Sequence, residues 1–200
     1  TLHPEFYWLP RKFKVAVTGA ENDRAAVLFH DIGLRVLQNA KGQLGLQVLV
    51  GGGMGRTPVI GKVIREFLPR EHLLSYCEAI LRIYNMYGNR DNKYKARIKI
   101  LVNSLGIDEF RRQVEAEWEQ IKDSDLLLQD ADFERMQSYF SSPDYVKSTA
   151  DSNLINQGRI EKWRSLDTRF AQWYDNNTVE HKVDGYRIVV VSLKAPGVPP

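Results

Sequence analysis

Between residues 12 and 18 apolar and polar side chains alternate, with Phe13, Val15 and Val17 set between Lys12, Lys14 and Ala16. A period of two sends successive side chains to opposite faces, so 12–18 is predicted as a strand with Phe13 toward a core and Lys12 and Lys14 together on the other face. Residues 31–38 and 45–50 are predicted as two more strands. Asn39-Ala40-Lys41-Gly42 between them suits a hairpin loop. From 70 to 87 the period lengthens: Leu73, Leu74, Cys77, Ile80, Leu81 and Tyr84 recur at steps of three and four, an amphipathic helix closed by Gly88. Further helices are predicted over 93–105, stopping at Gly106, and over 108–120, with Phe110, Val114 and Trp118 on one face.

Beyond Ile121 the texture changes. Residues 132–140 suit a short helix, and 141–158, rich in Ser, Asp and Asn with Pro143 as a breaker, suit a connecting arm. Residues 159–174 carry Trp163, Leu166, Phe170 and Trp173 at helical spacing, and 186–193 is the clearest strand pattern in the chain. These elements define an α+β fold: a mixed or antiparallel sheet from the strands at 12, 31, 45 and 186, covered by helices. The expected division is 1–120 as the α/β layer, 121–178 as a helical arm, and 179–200 as the first strand of a further, incomplete half.

The 200 residues, 43% hydrophobic and 26% charged, suffice for a real core. Twenty-eight basic against twenty-five acidic side chains leave too small an excess to wrap nucleic acid wholesale, so any cationic function is local. No apolar run approaches the roughly 20 residues that span a bilayer, and Thr1-Leu2-His3-Pro4 lacks a secretory pattern, which points to a cytoplasmic setting. The apolar run Phe6-Tyr7-Trp8-Leu9-Pro10 at one end and Gly197-Val198-Pro199-Pro200 at the other suggest a portion of a longer polypeptide. Cys77 is the only cysteine, which excludes an internal disulfide and a self-contained zinc or iron–sulfur site. The histidines show no metal-ligand spacing.

Three segments hold candidate chemistry. In Leu9-Pro10-Arg11-Lys12-Phe13-Lys14, two lysines at i and i+2 of a strand can donate to one small oxyanion, although the same pattern also suits a solvated strand face. In Val50-Gly51-Gly52-Gly53-Met54-Gly55-Arg56, a strand runs into glycines that let backbone N–H groups approach a flat or anionic ligand, with Arg56 free to pair with a carboxylate. This loop is neither a Walker A nor a dinucleotide fingerprint. In the segment from Gly88-Asn89-Arg90 to Lys99, Arg90, Lys93 and Arg97 fall at steps of three and four around an expected helix start, a cationic stripe that also suits RNA.

In this order and spacing, Leu9-Pro-Arg-Lys-Phe-Lys, Leu49-Val-Gly-Gly-Gly-Met-Gly and Gly88-Asn-Arg with Ala96-Arg-x-Lys resemble the sirohaem and iron–sulfur half of assimilatory nitrite/sulfite reductases. The resemblance covers residues 6 to about 118. Phe170-Ala-Gln-Trp and His181-Lys-Val-Asp-Gly-Tyr resemble the junction into the family's second ferredoxin-like half. It implies six-electron reduction of sulfite to sulfide, or of nitrite to ammonia, at sirohaem coupled to a 4Fe–4S cluster, with ferredoxin or a flavoprotein reductase as electron donor. It further implies that Lys12 and Lys14 bind the substrate anion. Arg11, Gly51, Gly52, Gly53, Arg56, Asn89, Arg90 and Arg97 would contact the macrocycle or its carboxylates. The family holds its cluster with four cysteines, whereas Cys77 lies on a helix stripe and matches none of them. It also supplies two substrate-binding arginines from a segment upstream of this start. The isolated chain is therefore expected to lack the cluster and to be inactive. The competing expectation is an RNA- or nucleotide-binding α+β module built on the 90–99 stripe and the glycine loop.

Overall fold

The computed structural model describes residues 3–146 and 149–191, without the side chains of 150–152. The chain forms two compact units, residues 1–140 and residues 141–200.

In the first unit, β1 (Val15–Thr18), β2 (Ile32–Gln38), β3 (Leu44–Val50) and β4 (Lys62–Pro69) form a mixed sheet in that order. The β1–β2 pair is parallel and the other two pairs are antiparallel. Ile32, Leu34, Leu46, Val48 and Val50 line one face, against α1 (Leu73–Tyr87), α2 (Ile98–Leu105) and α3 (Ile107–Ile121). The α1 stripe of Tyr76, Ala79, Ile80, Ile83 and Tyr84 is buried there, as are Phe110, Val114 and Trp118 of α3. Each large apolar side chain so buried contributes about 1.5–3 kcal/mol of transfer free energy. A smaller cluster of Ala16, Val27 and Leu49 covers the other face, beneath residues 25–28.

Most predicted elements of this unit are present, with four differences. The first strand begins only at Val15, and 10–14 is irregular. Phe13 packs on the core, but Val15 and Val17 are 45% and 54% exposed because β1 is the sheet edge. The expected helix over 93–105 is a 3-10 turn at Lys93–Lys95, a break, and then α2. Arg90, Lys93 and Arg97 therefore do not form a stripe on one helix. Strand β4 was not foreseen: a bulge against β3 breaks its alternation, leaving Ile64 and Leu68 buried at a helix-like spacing of four.

A short helix, α4 (Asp130–Gln137), follows in the region expected to hold one. The second unit contains α5 (Ala150–Leu166), α6 (Thr168–Asn177), β5 (Thr178–Glu180) and β6 (Arg187–Val189). Asp167 separates the helices and caps α6, accepting from the Arg169 and Phe170 amides at 2.8 and 3.1 Å. Helix α5 thus takes in residues 150–158 that composition had assigned to the arm. The strand expected over 186–193 pairs with β5 in a two-stranded ladder and does not join the main sheet; residues 192 and 193 lie outside the described ones.

Candidate functional site

The three segments marked by the sequence meet at one buried polar residue, Asp31, and the first and third meet again at a second, Tyr84. Asp31, fully buried, precedes β2, and its carboxylate takes Arg97 in a two-pronged pair, Nε to Oδ1 at 2.8 Å and a terminal nitrogen to Oδ2 at 2.6 Å. The Lys14 amide donates to the same Oδ2 at 2.9 Å, and the Asp31 carbonyl accepts from the Gly51 amide at 3.0 Å. A buried carboxylate is costly unless matched charge and hydrogen bonds surround it, and here the first and third marked segments supply them, while the glycine loop is held by the Asp31 backbone. The pairing also raises the Arg97 guanidinium above its ordinary range.

The Tyr84 hydroxyl, fully buried at the end of α1, lies 2.6 Å from the Ala96 carbonyl and 3.0 Å from that of Arg11. Burial raises its phenol, which stays protonated and able to donate. Pro10 reinforces this junction, because a Cβ at Gly88 would stand 2.6 Å from its ring.

The predicted site residues divide by what they touch. Arg11 donates to the Lys93 carbonyl. Arg90 donates to Asn85 Oδ1 at 2.6 Å and to the Trp8 carbonyl at 3.3 Å, tying the start of the chain to the end of α1. Asn89 accepts from the Asn92 amide at 3.0 Å, a local turn. Gly51 has φ +78°, and a Cβ on Gly52 would stand 2.3 Å from the Leu28 carbonyl oxygen, so nothing but glycine lets the 28–30 backbone approach. Gly53 exchanges both backbone hydrogen bonds with Val59 at 2.9 Å, closing the loop that carries Arg56. The Lys99 side chain lies across Gly53 and donates to the Thr57 carbonyl at 2.5 Å.

Lys12, Lys14 and Arg56 are exposed, and among the described residues none of the three is in an ion pair or side-chain hydrogen bond. The fold thus engages the side chains of Arg11, Arg90 and Arg97 and leaves those of Lys12, Lys14 and Arg56 exposed. Sequence reasoning treated Asp31 only as the head of a strand and Tyr84 only as a stripe residue. The available signal was a lone carboxylate directly ahead of the buried strand start Ile32-Gly33-Leu34.

Cys77 packs against the main core, and burial pushes its thiol up to about 12. No helix among the described residues is long and apolar enough to cross a membrane.

Residues 1–122 match the model of the nitrite and sulphite reductase 4Fe-4S domain, a boundary one residue past α3. The chain belongs to this family. It is 39% identical over 108 residues to the sulfite reductase [NADPH] hemoprotein beta-component of Staphylococcus haemolyticus, covering 50% of this chain and 19% of that protein. It is 38% identical over 116 residues to the sulfite reductase [ferredoxin] of Synechococcus elongatus, covering 54% and 19%. Among solved structures, the Mycobacterium tuberculosis NirA protein superposes with a TM-score of 0.54 at 28% identity, over 58% of this chain and 21% of that one. The chain therefore spans about a fifth of the length of the relatives it matches.

Proposed function

We propose that this chain is the anion- and ring-facing part of a sulfite or nitrite reductase, with residues 1–120 forming the sirohaem-facing layer, 121–178 an arm, and 179–200 the entry to a second half. The observation that carries the proposal is the convergence of the three marked segments on Asp31 and Tyr84, with Lys12, Lys14 and Arg56 left unpaired. Free ammonium and guanidinium groups suit a ring fringed with carboxylates and a small oxyanion beside it.

The chain's residues fit the tetrapyrrole but not the iron–sulfur cluster. A 4Fe–4S cluster needs cysteine thiolates, and the single Cys77 is a half-buried thiol packed on the core with its ionisation suppressed. Cluster ligands would come from polypeptide outside these 200 residues. When bound, sirohaem would supply the redox centre at which the anion is reduced. Arg56 and the spare terminal nitrogen of Arg97 would hold its carboxylates, with the Gly51–Gly53 backbone against the macrocycle. Lys12 and Lys14 would bind sulfite or nitrite and hold protons for the oxygens that leave as water. Arg11, Asn89 and Arg90 would act by fixing the backbone that presents these groups. The names of the two relatives support NADPH, through a flavoprotein partner, or ferredoxin as the source of electrons.

The full-length reductase carrying this chain is the material for the test. Lys12→Ala or Lys14→Ala should lower sulfite or nitrite turnover far more than sirohaem content, read from the ring's absorption bands. A colourless protein from sirohaem-competent cells, or unchanged turnover in both variants, overturns the proposal. The RNA-binding alternative loses its footing in the structure, because the cationic stripe it required is broken between a 3-10 turn and the Arg97–Asp31 pair.

A further inference from the structure

Lys12 and Lys14 sit on a stretch with little regular support. Residues 12–14 precede β1, and among the described residues the Ile32 amide bond to the Lys14 carbonyl at 3.1 Å is the one backbone bond extending the ladder to them. Long, exposed lysine side chains hold an anion well only if the backbone beneath them is fixed, since their own rotamer freedom is already costly to restrict. Two buried side chains grip this backbone from below. The Tyr84 hydroxyl meets the Arg11 carbonyl, one residue before Lys12, and the Asp31 carboxylate meets the Lys14 amide. Each also grips the start of α2, through the Ala96 carbonyl and the Arg97 guanidinium respectively. A phenylalanine at 84 would fill the same core volume, so the hydroxyl's distinct work is to join 11 to 96.

We propose that Tyr84 and Asp31 are positioning residues for the anion site, a two-point clamp that sets the Lys12–Lys14 backbone in register with Arg97 and the glycine loop. The inference rests on the proposed anion-binding role of Lys12 and Lys14. It assigns to two side chains that touch neither anion nor ring the control of how tightly the anion is held.

The test compares Tyr84→Phe with Tyr76→Phe in the sirohaem-loaded full-length reductase. Both variants remove one buried hydroxyl from the same helix, but Tyr76 meets Glu115 and no residue of the 11–14 segment. Sulfite is titrated while the ring's absorption bands are followed, and KM and kcat for sulfite are measured beside ring content. Tyr84→Phe should raise both the sulfite Kd and KM on the order of tenfold, as expected when a binding group is misplaced by a fraction of an ångström. Ring content should hold near wild type, and Tyr76→Phe should leave Kd and KM unchanged. Asp31→Asn should move Kd in the same direction; if that variant does not accumulate folded, Tyr84→Phe decides alone. A wild-type Kd in Tyr84→Phe, or equal shifts in both tyrosine variants, overturns the clamp. Lys14→Ala separates the two failures: if it weakens sulfite binding while Tyr84→Phe does not, the clamp falls and the proposed function stands. If neither variant changes binding, both fall.

Discussion

The Tyr76 hydroxyl donates to Glu115 Oε1 at 2.7 Å, while Arg65 reaches Oε2 of the same carboxylate, also at 2.7 Å. This pair of contacts ties α1 and β4 to α3, and Arg65 lies over the Trp118 ring at 4.7 Å, closing the group. Tyr76→Phe should lower unfolding free energy by about 1 kcal/mol, the usual net worth of a hydrogen bond. Glu115→Ala, which strands both donors, should cost about 2 kcal/mol. Urea unfolding at constant slope measures both.

The same tyrosine predicts how stability responds to alkali. Burial, aided by the hydrogen bond to Glu115, raises the Tyr76 phenol well above its ordinary 10.0. The folded state thus keeps the proton to higher pH than the unfolded state. The associated stability is complete below pH 10 and declines as pH rises beyond it. In Tyr76→Phe this part of the alkaline slope should disappear; an unchanged slope between wild type and variant refutes the assignment.

Cys77 follows the same sign over a lower range. Its thiol moves from an ordinary 9.0 to about 12, so its contribution is intact below pH 9.0 and lost as pH climbs toward 12. A chromogenic disulfide reagent at neutral pH should react slowly with the native chain and rapidly in urea. Equal rates in both conditions would show that the thiol is not shielded as described.

Local periodicity made α1 and α3 legible, because their buried side chains recur along one helix face and both end near glycine or a change of polarity. It missed residues 150–158 of α5, where Leu154 and Ile155 are 67% and 63% exposed and no apolar stripe exists to be detected. The cationic and glycine segments were visible as motifs. Asp31 and Tyr84 were not, since Lys14 lies 17 residues from Asp31, Arg97 lies 66 from it, and Arg11 lies 73 from Tyr84. Contacts of that range follow from the folding of the sheet and helices together, which no local repeat encodes.

Two glycines of the same loop should both lose stability on substitution by alanine, but to different degrees. At Gly52 the new Cβ would meet the Leu28 carbonyl oxygen at 2.3 Å and that of His30 at 2.7 Å, both backbone atoms that cannot step aside. Gly52→Ala should cost about 3 kcal/mol or more, or prevent accumulation of folded chain. At Gly55 nothing lies within 4 Å, but φ is +104°, so Gly55→Ala should cost only about 1–2 kcal/mol of backbone strain. Thermal melts of the two variants give the order, and a Gly52→Ala midpoint above that of Gly55→Ala contradicts it.

Arg82 on α1 supports the start of the chain from a different direction. Its guanidinium faces Glu117 at 2.8 Å, Glu78 at 2.9 Å and Glu5 at 3.2 Å, one cation among three carboxylates, and the hydrogen bond it donates to Glu117 raises it above its ordinary range. Arg82→Met keeps the length of the stem but leaves three negative charges confronting one another on partly buried ground. The loss should be about 2 kcal/mol, between the values for exposed and buried pairs. Because the residual force in the variant is repulsion between like charges, added salt should restore part of its stability through screening. Wild type, in which attraction is screened instead, should gain nothing from the same salt. Since Glu5 lies in the 3-10 turn Pro4–Phe6, the variant should also be cut sooner by protease near residues 4–9, with the helical core of α1 still protected. A variant that melts like wild type and shows the same response to salt would mean that the three carboxylates do not depend on Arg82.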